Sequence, residues 1–198
     1  MIRKLESKDI ANVVAIHMAS FPGFFLSFLG PKFLTLFYSG VCIAPESIAF
    51  VYLNVKGVPI GFVAGALNPG GFYSRLMMRD FLRFGWASLS PMIKNPKIIW
   101  RLARAISHPS SNNFGNNVAG LFSIGVHPDS QGNGAGNLLV NAFLNEAKLK
   151  NCTKVYLTTD RDNNEAGNKF YTNLGFNINR QYATPEGRRM NQYCIDLK

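Results

Sequence analysis

Three glycines stand at alternate positions in the stretch Val126-His127-Pro128-Asp129-Ser130-Gln131-Gly132-Asn133-Gly134-Ala135-Gly136-Asn137. Glycine there lets the backbone curl so that successive N–H groups face one hollow, because a side chain would block close approach and resist positive φ. An apolar-periodic run begins at Gly136, and a helix in that place adds the positive end of its dipole. The stretch therefore reads as an anion cradle suited to a pyrophosphate. Spacing excludes two better-known glycine loops. This is Gly-x-Gly-x-Gly rather than Gly-x-Gly-x-x-Gly, and the chain has no Gly-Lys-Ser/Thr. The competing reading is a glycine-rich turn with no ligand.

Whatever binds there must be positioned by the flanking elements. Ile2–Leu5 reads as a first strand, and Ser7 as the cap of a helix with Asp9 in its first turn. Ile10, Val13, Val14, His17, Met18 and Phe21 share one helical face. His17 is therefore either a satisfied core histidine or a group in a cleft that meets a substrate. Phe24 to Val41 reads as two short helical pieces around Gly30-Pro31. Strands Ile48–Val55 and Pro59–Leu67 are joined at Lys56-Gly57, a hairpin signal. Further strands are expected over Val118–Val126, Lys154–Thr159, Phe176–Ala183 and Met190–Leu197. Helices are expected over Gly136–Lys150, with Leu138, Leu139, Ala142, Phe143 and Ala147 on one side, and over Asn164–Leu174. The order is mixed α/β without an internal repeat.

At 198 residues and 22.0 kDa the chain suits one domain. An apolar content of 47% against 16% charged residues rules out wholesale disorder. Cys42, Cys152 and Cys194 are odd in number, far apart and in no metal-ligand spacing. That argues against a disulfide framework and a zinc site, and fits a reducing cytoplasm. The first nine residues are too charged for a signal peptide, and no run reaches the ~18–20 apolar residues of a membrane-spanning helix. The net charge of +10 attracts anions in general without choosing among them.

The segment Asn164-Glu165-Ala166-Gly167-Asn168-Lys169-Phe170-Tyr171-Thr172-Asn173-Leu174-Gly175-Phe176 follows the strand Val155–Thr159. Together with the glycine stretch it resembles the GNAT acetyltransferase superfamily. The superfamily's acetyl-CoA motif, Gln/Arg-x-x-Gly-x-Gly/Ala, is matched by Gln131, Gly134 and Gly136. Its following motif is matched by Asn164, Gly167, Phe170, Tyr171, Gly175 and Phe176. The resemblance is strong over Val118–Phe176, passable over the flanking strands and first helix, and absent over Gly70–Asn117.

The resemblance implies an α/β (α+β) GNAT fold, with a mixed, mostly antiparallel sheet flanked by helices and splayed between its fourth and fifth strands. Residues 1–198 would form a single N-acetyltransferase domain, with a basic helical insertion at 70–117 between the third and fourth strands. The pantetheine arm of acetyl-CoA would lie in the splay. Backbone groups of Ile124, Gly125 and Val126 would meet it as a strand-like addition. The diphosphate would sit on the amides of Gln131, Gly132, Asn133, Gly134, Ala135, Gly136 and Asn137, with Asn164 and Gly167 on the other side. The implied reaction is direct attack by an amine on the thioester, with the Val126 N–H polarising the carbonyl. Tyr171 stands at the position of the acid that protonates the departing thiolate; its competing role is packing beside Phe170. Acetyl-CoA is the implied co-substrate, and no metal is implied.

Some relatives carry a Glu on the strand before the glycine loop, whereas Val118–Val126 holds no carboxylate. Water or His17 could then relay the proton. Neutralising a lysine-like amine of pKa ~10.4 at pH 7 costs ~4.6 kcal/mol, against ~1.4 for an α-amine of pKa ~8. Amino-sugars, sugar-nucleotides and peptide N-termini fit such a site better than side-chain lysines. The enzymatic alternative is a protein N-terminal acetyltransferase of the ribosomal-protein type, and the non-enzymatic one is a silent CoA-binding or membrane-docking module.

Residues 70–117 carry seven basic side chains (Arg75, Arg79, Arg83, Lys94, Lys97, Arg101, Arg104) and one acid (Asp80), a net +6. Two helical patterns are expected. The first has Tyr73, Leu76, Met77, Phe81 and Phe84 on its apolar face, and the second runs from Pro96 through Ile106. Three readings stay open: an apolar cap with a solvated rim, a site where Arg79 and Arg83 bind an anionic acceptor, or a surface for an acidic membrane or other polyanion. No nucleic-acid recognition motif is present. Monomer and homodimer both remain open.

Overall fold

The computed structural model describes residues 1–94 and 117–197, with side chains to residue 87 in the first stretch. The second helical pattern of the insertion falls outside the described residues. Seven strands form one sheet: β1 (Ile2–Lys4), β2 (Ser47–Leu53), β3 (Pro59–Leu67), β4 (Val118–Val126), β5 (Lys154–Asp160), β6 (Asn177–Ala183) and β7 (Arg189–Asp196). Their order is β1-β2-β3-β4-β5-β7-β6. Every pair is antiparallel except β4–β5. Helices α1 (Ile10–Ser20), α2 (Phe25–Phe28), α3 (Gly30–Ile43), α4 (Phe72–Arg79) and α5 (Phe81–Lys94) precede β4. Helices α6 (Ala135–Leu149) and α7 (Glu165–Asn173) flank β5.

The period of two in β3 assigns its faces. Phe62, Ala64 and Ala66 join a core with Val13, Phe33, Phe37 and Tyr38 of α1 and α3. Val63 points the other way, to Leu139, Val140 and Phe143 of α6. With helices on both faces the strand is buried almost throughout, and each fully buried Phe or Leu contributes about 1.5–3 kcal/mol.

Several local readings shift. Glu6 rather than Ser7 caps the first turn, in a reciprocal box with Asp9. The Asp9 carboxylate is buried because it carries more than a cap: it accepts two hydrogen bonds from Arg3, at 2.6 and 2.8 Å. The two helical pieces expected around Gly30-Pro31 are α2 and α3, and Gly30 and Pro31 open the second. Gly30 has φ +83° and Pro31 lies in the first turn of α3, where its missing N–H costs nothing. β2 ends before Val55 because the Asn54 side chain accepts from the amides of Lys56 and Val58 and folds the chain into a turn. On α6, Leu138, expected on the apolar side, is exposed, and Val140 is buried.

In the insertion the expected single face is cut at Asp80, where α4 stops and α5 begins. That break rotates the pattern, so Phe72 is buried and Phe81 exposed. Phe72, Leu76, Met77 and Phe84 pack into the α1–α3 core. Phe84 lies edge-on to Phe33 at 5.1 Å.

The sheet opens at its centre. β4 and β5 pair from Val118–Lys154 to Leu121–Leu157. Beyond that, Phe122–Val126 stays on β3 and Thr158–Asp160 stays on β7. Ala64 faces Ser123 and Gly65 faces Leu121, which leaves Phe122 as an extra residue on β4. Such a bulge bends its strand, and the bend falls where contact with β5 is lost.

Candidate active site

The His127 N–H bonds the Ile60 carbonyl at 2.8 Å. By the alternation of an antiparallel ladder, Gly125 then also faces β3, while backbone groups of Ile124 and Val126 face the opening. The Val126 carbonyl accepts from Ser20 Oγ at 3.2 Å and Gln131 Nε2 at 3.0 Å. The opening is therefore offered the Val126 N–H and both backbone groups of Ile124.

The chain next curls through Gly132 (φ +82°) and Gly134 (φ +79°), and Gly134 is the residue before α6. A Cβ at either would meet nothing within 4 Å, so glycine serves conformation there and the hollow stays open. Gly136 is needed for a different reason: a Cβ would press on the Phe170 ring at 3.2 Å. The Ala135 amide is bonded to Asn133 Oδ1. The amides of Gly136 and Asn137, in the first turn, have no partner within the helix.

Ile124, Val126, Gln131, Gly132, Asn133, Gly134, Ala135, Gly136, Asn137, Asn164, Gly167 and Tyr171 all line one cleft of ≈ 510 Å³. Gly125 does not line it: a Cβ there would face the Phe62 ring at 3.0 Å, inside the core. None of the cleft's lining residues is basic. An anion there would meet backbone N–H groups and the α6 dipole. Asn164 spends its Nδ2 on Thr159 Oγ1 (2.8 Å) and the Asp160 carbonyl (3.2 Å). Asn168 ties the same corner. Its Nδ2 donates to the carbonyls of Asp160, Arg161 and Asn164, and its Oδ1 accepts from Asn191 and Tyr193.

A second cavity of ≈ 210 Å³ adjoins the cleft, and Phe21, Phe24, Ile124, Thr159 and Tyr171 line both. His17 and Ser123 also line it, and Asp160 and Arg188 lie at its half-exposed rim. Arg188 donates three hydrogen bonds to Asp160 at 2.7–3.0 Å and lies over the Phe24 ring. Tyr171 packs between Phe170, Phe176 and Tyr193. Burial, then the neighbouring Tyr193, push its hydroxyl up to about 12. Burial pushes the His17 imidazole down to about 4.

A family model described as the acetyltransferase (GNAT) family matches residues 12–176. The chain belongs to the GNAT acetyltransferase family. It is accordingly an N-acetyltransferase that uses acetyl-CoA. Three solved structures share its fold. Ard1 from Thermoplasma volcanium is 20% identical, with a TM-score of 0.64 over 100% of this chain and 97% of that one. The ribosomal-protein-S18-alanine N-acetyltransferase of Escherichia coli is 17% identical, with a TM-score of 0.59 over 100% and 94%. The yncA protein of Salmonella typhimurium, solved with its cofactor acetyl-CoA, is 14% identical, with a TM-score of 0.61 over 100% and 94%. No curated protein matches the sequence.

In this GNAT chain, Arg79 and Arg83 do not reach the second cavity. Both are exposed on the α4–α5 corner, and Arg83 lies 3.9 Å from Asp80. The cation on that cavity is Arg188, and its carboxylate is Asp160 of β5. Neither carried a sequence signal, because the β5 end and the β6–β7 turn meet only in the folded sheet. Among the described residues no cluster of His, Cys, Asp and Glu could hold a metal ion, and no helix is long and apolar enough to cross a membrane.

Proposed function

We propose that acetyl transfer occurs where the two cavities meet, to a small primary amine carrying an anionic group. The observation that carries this reading is shared lining: Ile124, Thr159 and Tyr171 belong to both the cofactor cleft and the smaller cavity. An acetyl group brought down the cleft and an amine brought through the cavity would meet beside them. Holding two reactants in attack geometry supplies about 7–11 kcal/mol in well-oriented cases.

In this reading the diphosphate rests on the amides of the 131–137 turn, and the arm adds to the open edge of β4. The amine nitrogen attacks the carbonyl carbon, the C–S bond breaks, and the Tyr171 hydroxyl supplies a proton to the leaving sulfur. A hydroxyl at about 12 stays protonated at working pH. It is also a weak acid beside a thiol of pKa ~8.5. Donation therefore proceeds as the acceptor nitrogen, acidified by the new C–N bond, gives up its own proton.

Arg188 Nη1 has no hydrogen-bond partner among the described residues. It is the group we assign to an anion on the acceptor, in place of Arg79 and Arg83. A second reading has its own support. A further cavity of ≈ 540 Å³, lined by Ser20, Asp162, Asn163 and Arg189, shares Asp160, Arg188, Phe21 and Phe24 with the acceptor cavity. A peptide with its amino terminus in the smaller cavity could continue into the larger.

CoA thiol release decides between them, with a phosphorylated amino-sugar, the unphosphorylated sugar, a polyamine and a short free-N-terminal peptide as acceptors. The lowest KM is expected for the phosphorylated sugar, and Arg188→Gln should raise that KM about tenfold or more. A preference for the peptide would establish the second reading, and release with none of the four would sink both. A cytoplasmic location follows from the same reading, consistent with three free thiols.

A further inference from the structure

Among the described residues four buried side-chain polar atoms have no hydrogen-bond partner, and one of them belongs to a residue of the acceptor cavity: Nε2 of His17. The residue is 3% exposed. Its ring is fixed by Phe21 at 4.9 Å, Tyr38 at 5.7 Å and Phe62 at 6.2 Å. A buried polar atom without a partner costs about 1–3 kcal/mol, and an amine seated against His17 in the cavity would supply that partner.

The hydrogen-bond chain behind the ring sets what that atom can do. Nδ1 lies 2.7 Å from the hydroxyl of Tyr38, which is wholly buried. The Tyr38 hydroxyl donates to Ser123 Oγ at 3.4 Å. A phenol has one hydrogen, so with that hydrogen on Ser123 the hydrogen between His17 and Tyr38 belongs to Nδ1. Nε2 is then a bare lone pair.

We infer that His17 Nε2 accepts a hydrogen bond from the acceptor's amine and takes its proton as the C–N bond forms, with Tyr38 as the positioning residue that holds the tautomer. This rests on the acetyl-transfer reading of the two cavities. The step balances. The amine gives one proton to Nε2, Tyr171 gives one to the thiolate, and the imidazolium returns its proton to the Tyr171 oxygen before the next turnover. The other titratable groups around His17 are Tyr38, with Tyr73 beyond it, and Tyr171, Asp160 and Arg188 on the cavity. Asp160 is engaged by Arg188, so no carboxylate competes for Nε2. In these surroundings burial keeps the ring neutral at working pH. A neutral ring with an open lone pair selects the uncharged amine, which favours acceptors of lower pKa.

Two experiments on the full chain test this. The first needs no acceptor. In protein labelled with ¹⁵N-histidine, His17 should show a hydrogen on Nδ1 and a pyridine-type Nε2 through neutral pH; a hydrogen on Nε2 overturns the proposal. In Tyr38→Phe the preference should be lost.

The second compares wild type with His17→Ala, using whichever of the four panel amines turns over fastest. Expected are a fall of about 10²-fold in kcat/KM for the amine, CoA affinity within a few-fold, and recovery of tenfold or more with added imidazole. Acceptor kcat/KM within threefold of wild type, or a loss that imidazole does not restore in folded protein, overturns the role of His17. If the wild type binds no CoA, the cleft reading fails, an outcome that calorimetry separates from the others.

Discussion

Replacing Tyr171 by Phe removes one oxygen and little else. Among the described residues the hydroxyl has no hydrogen-bond partner, and the ring keeps its contacts with Phe170, Phe176 and Tyr193. Stability should therefore change by less than about 1 kcal/mol, and the melting temperature should barely move. In the proposed reading CoA rests on backbone amides of β4 and of the turn into α6, so its dissociation constant should stay within a few-fold. Turnover should not. A positioned general acid contributes about 10²–10⁴-fold, which is about 3–5 kcal/mol of barrier. The assay is single-turnover acetyl transfer followed by thiol release, beside calorimetry with CoA. The pH profile adds a second constraint. Because burial raises the hydroxyl to about 12, the acid form persists, and the wild-type rate should rise as the acceptor deprotonates without falling again before about pH 10. A variant within threefold of wild type refutes the role outright. A descending limb near pH 9–10 that vanishes in the variant would show instead that the phenol titrates as it does in water.

Three further perturbations bear on the frame. Arg3→Ala strands the buried Asp9 carboxylate and should cost about 3 kcal/mol in chemical denaturation. Burial alone would raise that carboxyl, but the hydrogen bonds from Arg3 and the Glu6 amide and the nearby positive charges bring it below the usual range. Its contribution in wild type is thus present above the unfolded pKa of ~3.9 and lost as pH falls through the lower folded value, and Asp9→Asn should flatten that acid limb. Gly134→Ala forces a Cβ onto φ +79°, a strain of about 1–2 kcal/mol. It should weaken CoA about tenfold in calorimetry, with the melting temperature falling by only a few degrees. Asn168→Asp sets a carboxylate oxygen against the carbonyls of Asp160, Arg161 and Asn164. Differential scanning should show a drop of several degrees, and an unchanged melting curve would remove Asn168 from the corner that shapes the cleft.

Within the described residues the expected strands and helices emerged with small shifts wherever a side chain captured a backbone group before the pattern ended, as Asn54 does at the close of β2 and Glu6 does before α1. The α4–α5 break at Asp80 was not legible, because apolar spacing continued smoothly across it. Packing against Phe122 of β4 selected Phe72 over Phe81, and spacing alone carries no information about that partner.

The two halves of the candidate site differ in the same way. Gln131 through Asn137 and Asn164 through Tyr171 are short continuous runs. What they offer is backbone amides, a positive φ and a helix start, properties set within a few residues of chain. The sequence alone therefore picked out most of the residues that line the larger cleft, while Phe21, Phe24 and Thr159 joined it, and Gly125 left it, only on folding. The smaller cavity is lined by His17 on α1, Ser123 on β4, Asp160 on β5 and Arg188 before β7. None of these neighbours another in sequence. Only the tertiary structure decided that His17 would be buried beside a cavity with its Nε2 unpartnered among the described residues, and that Arg188 rather than Arg79 would stand at the rim. The physical reason is that burial and ion pairing depend on which distant segments the sheet brings together, whereas a glycine turn is specified by its own torsions.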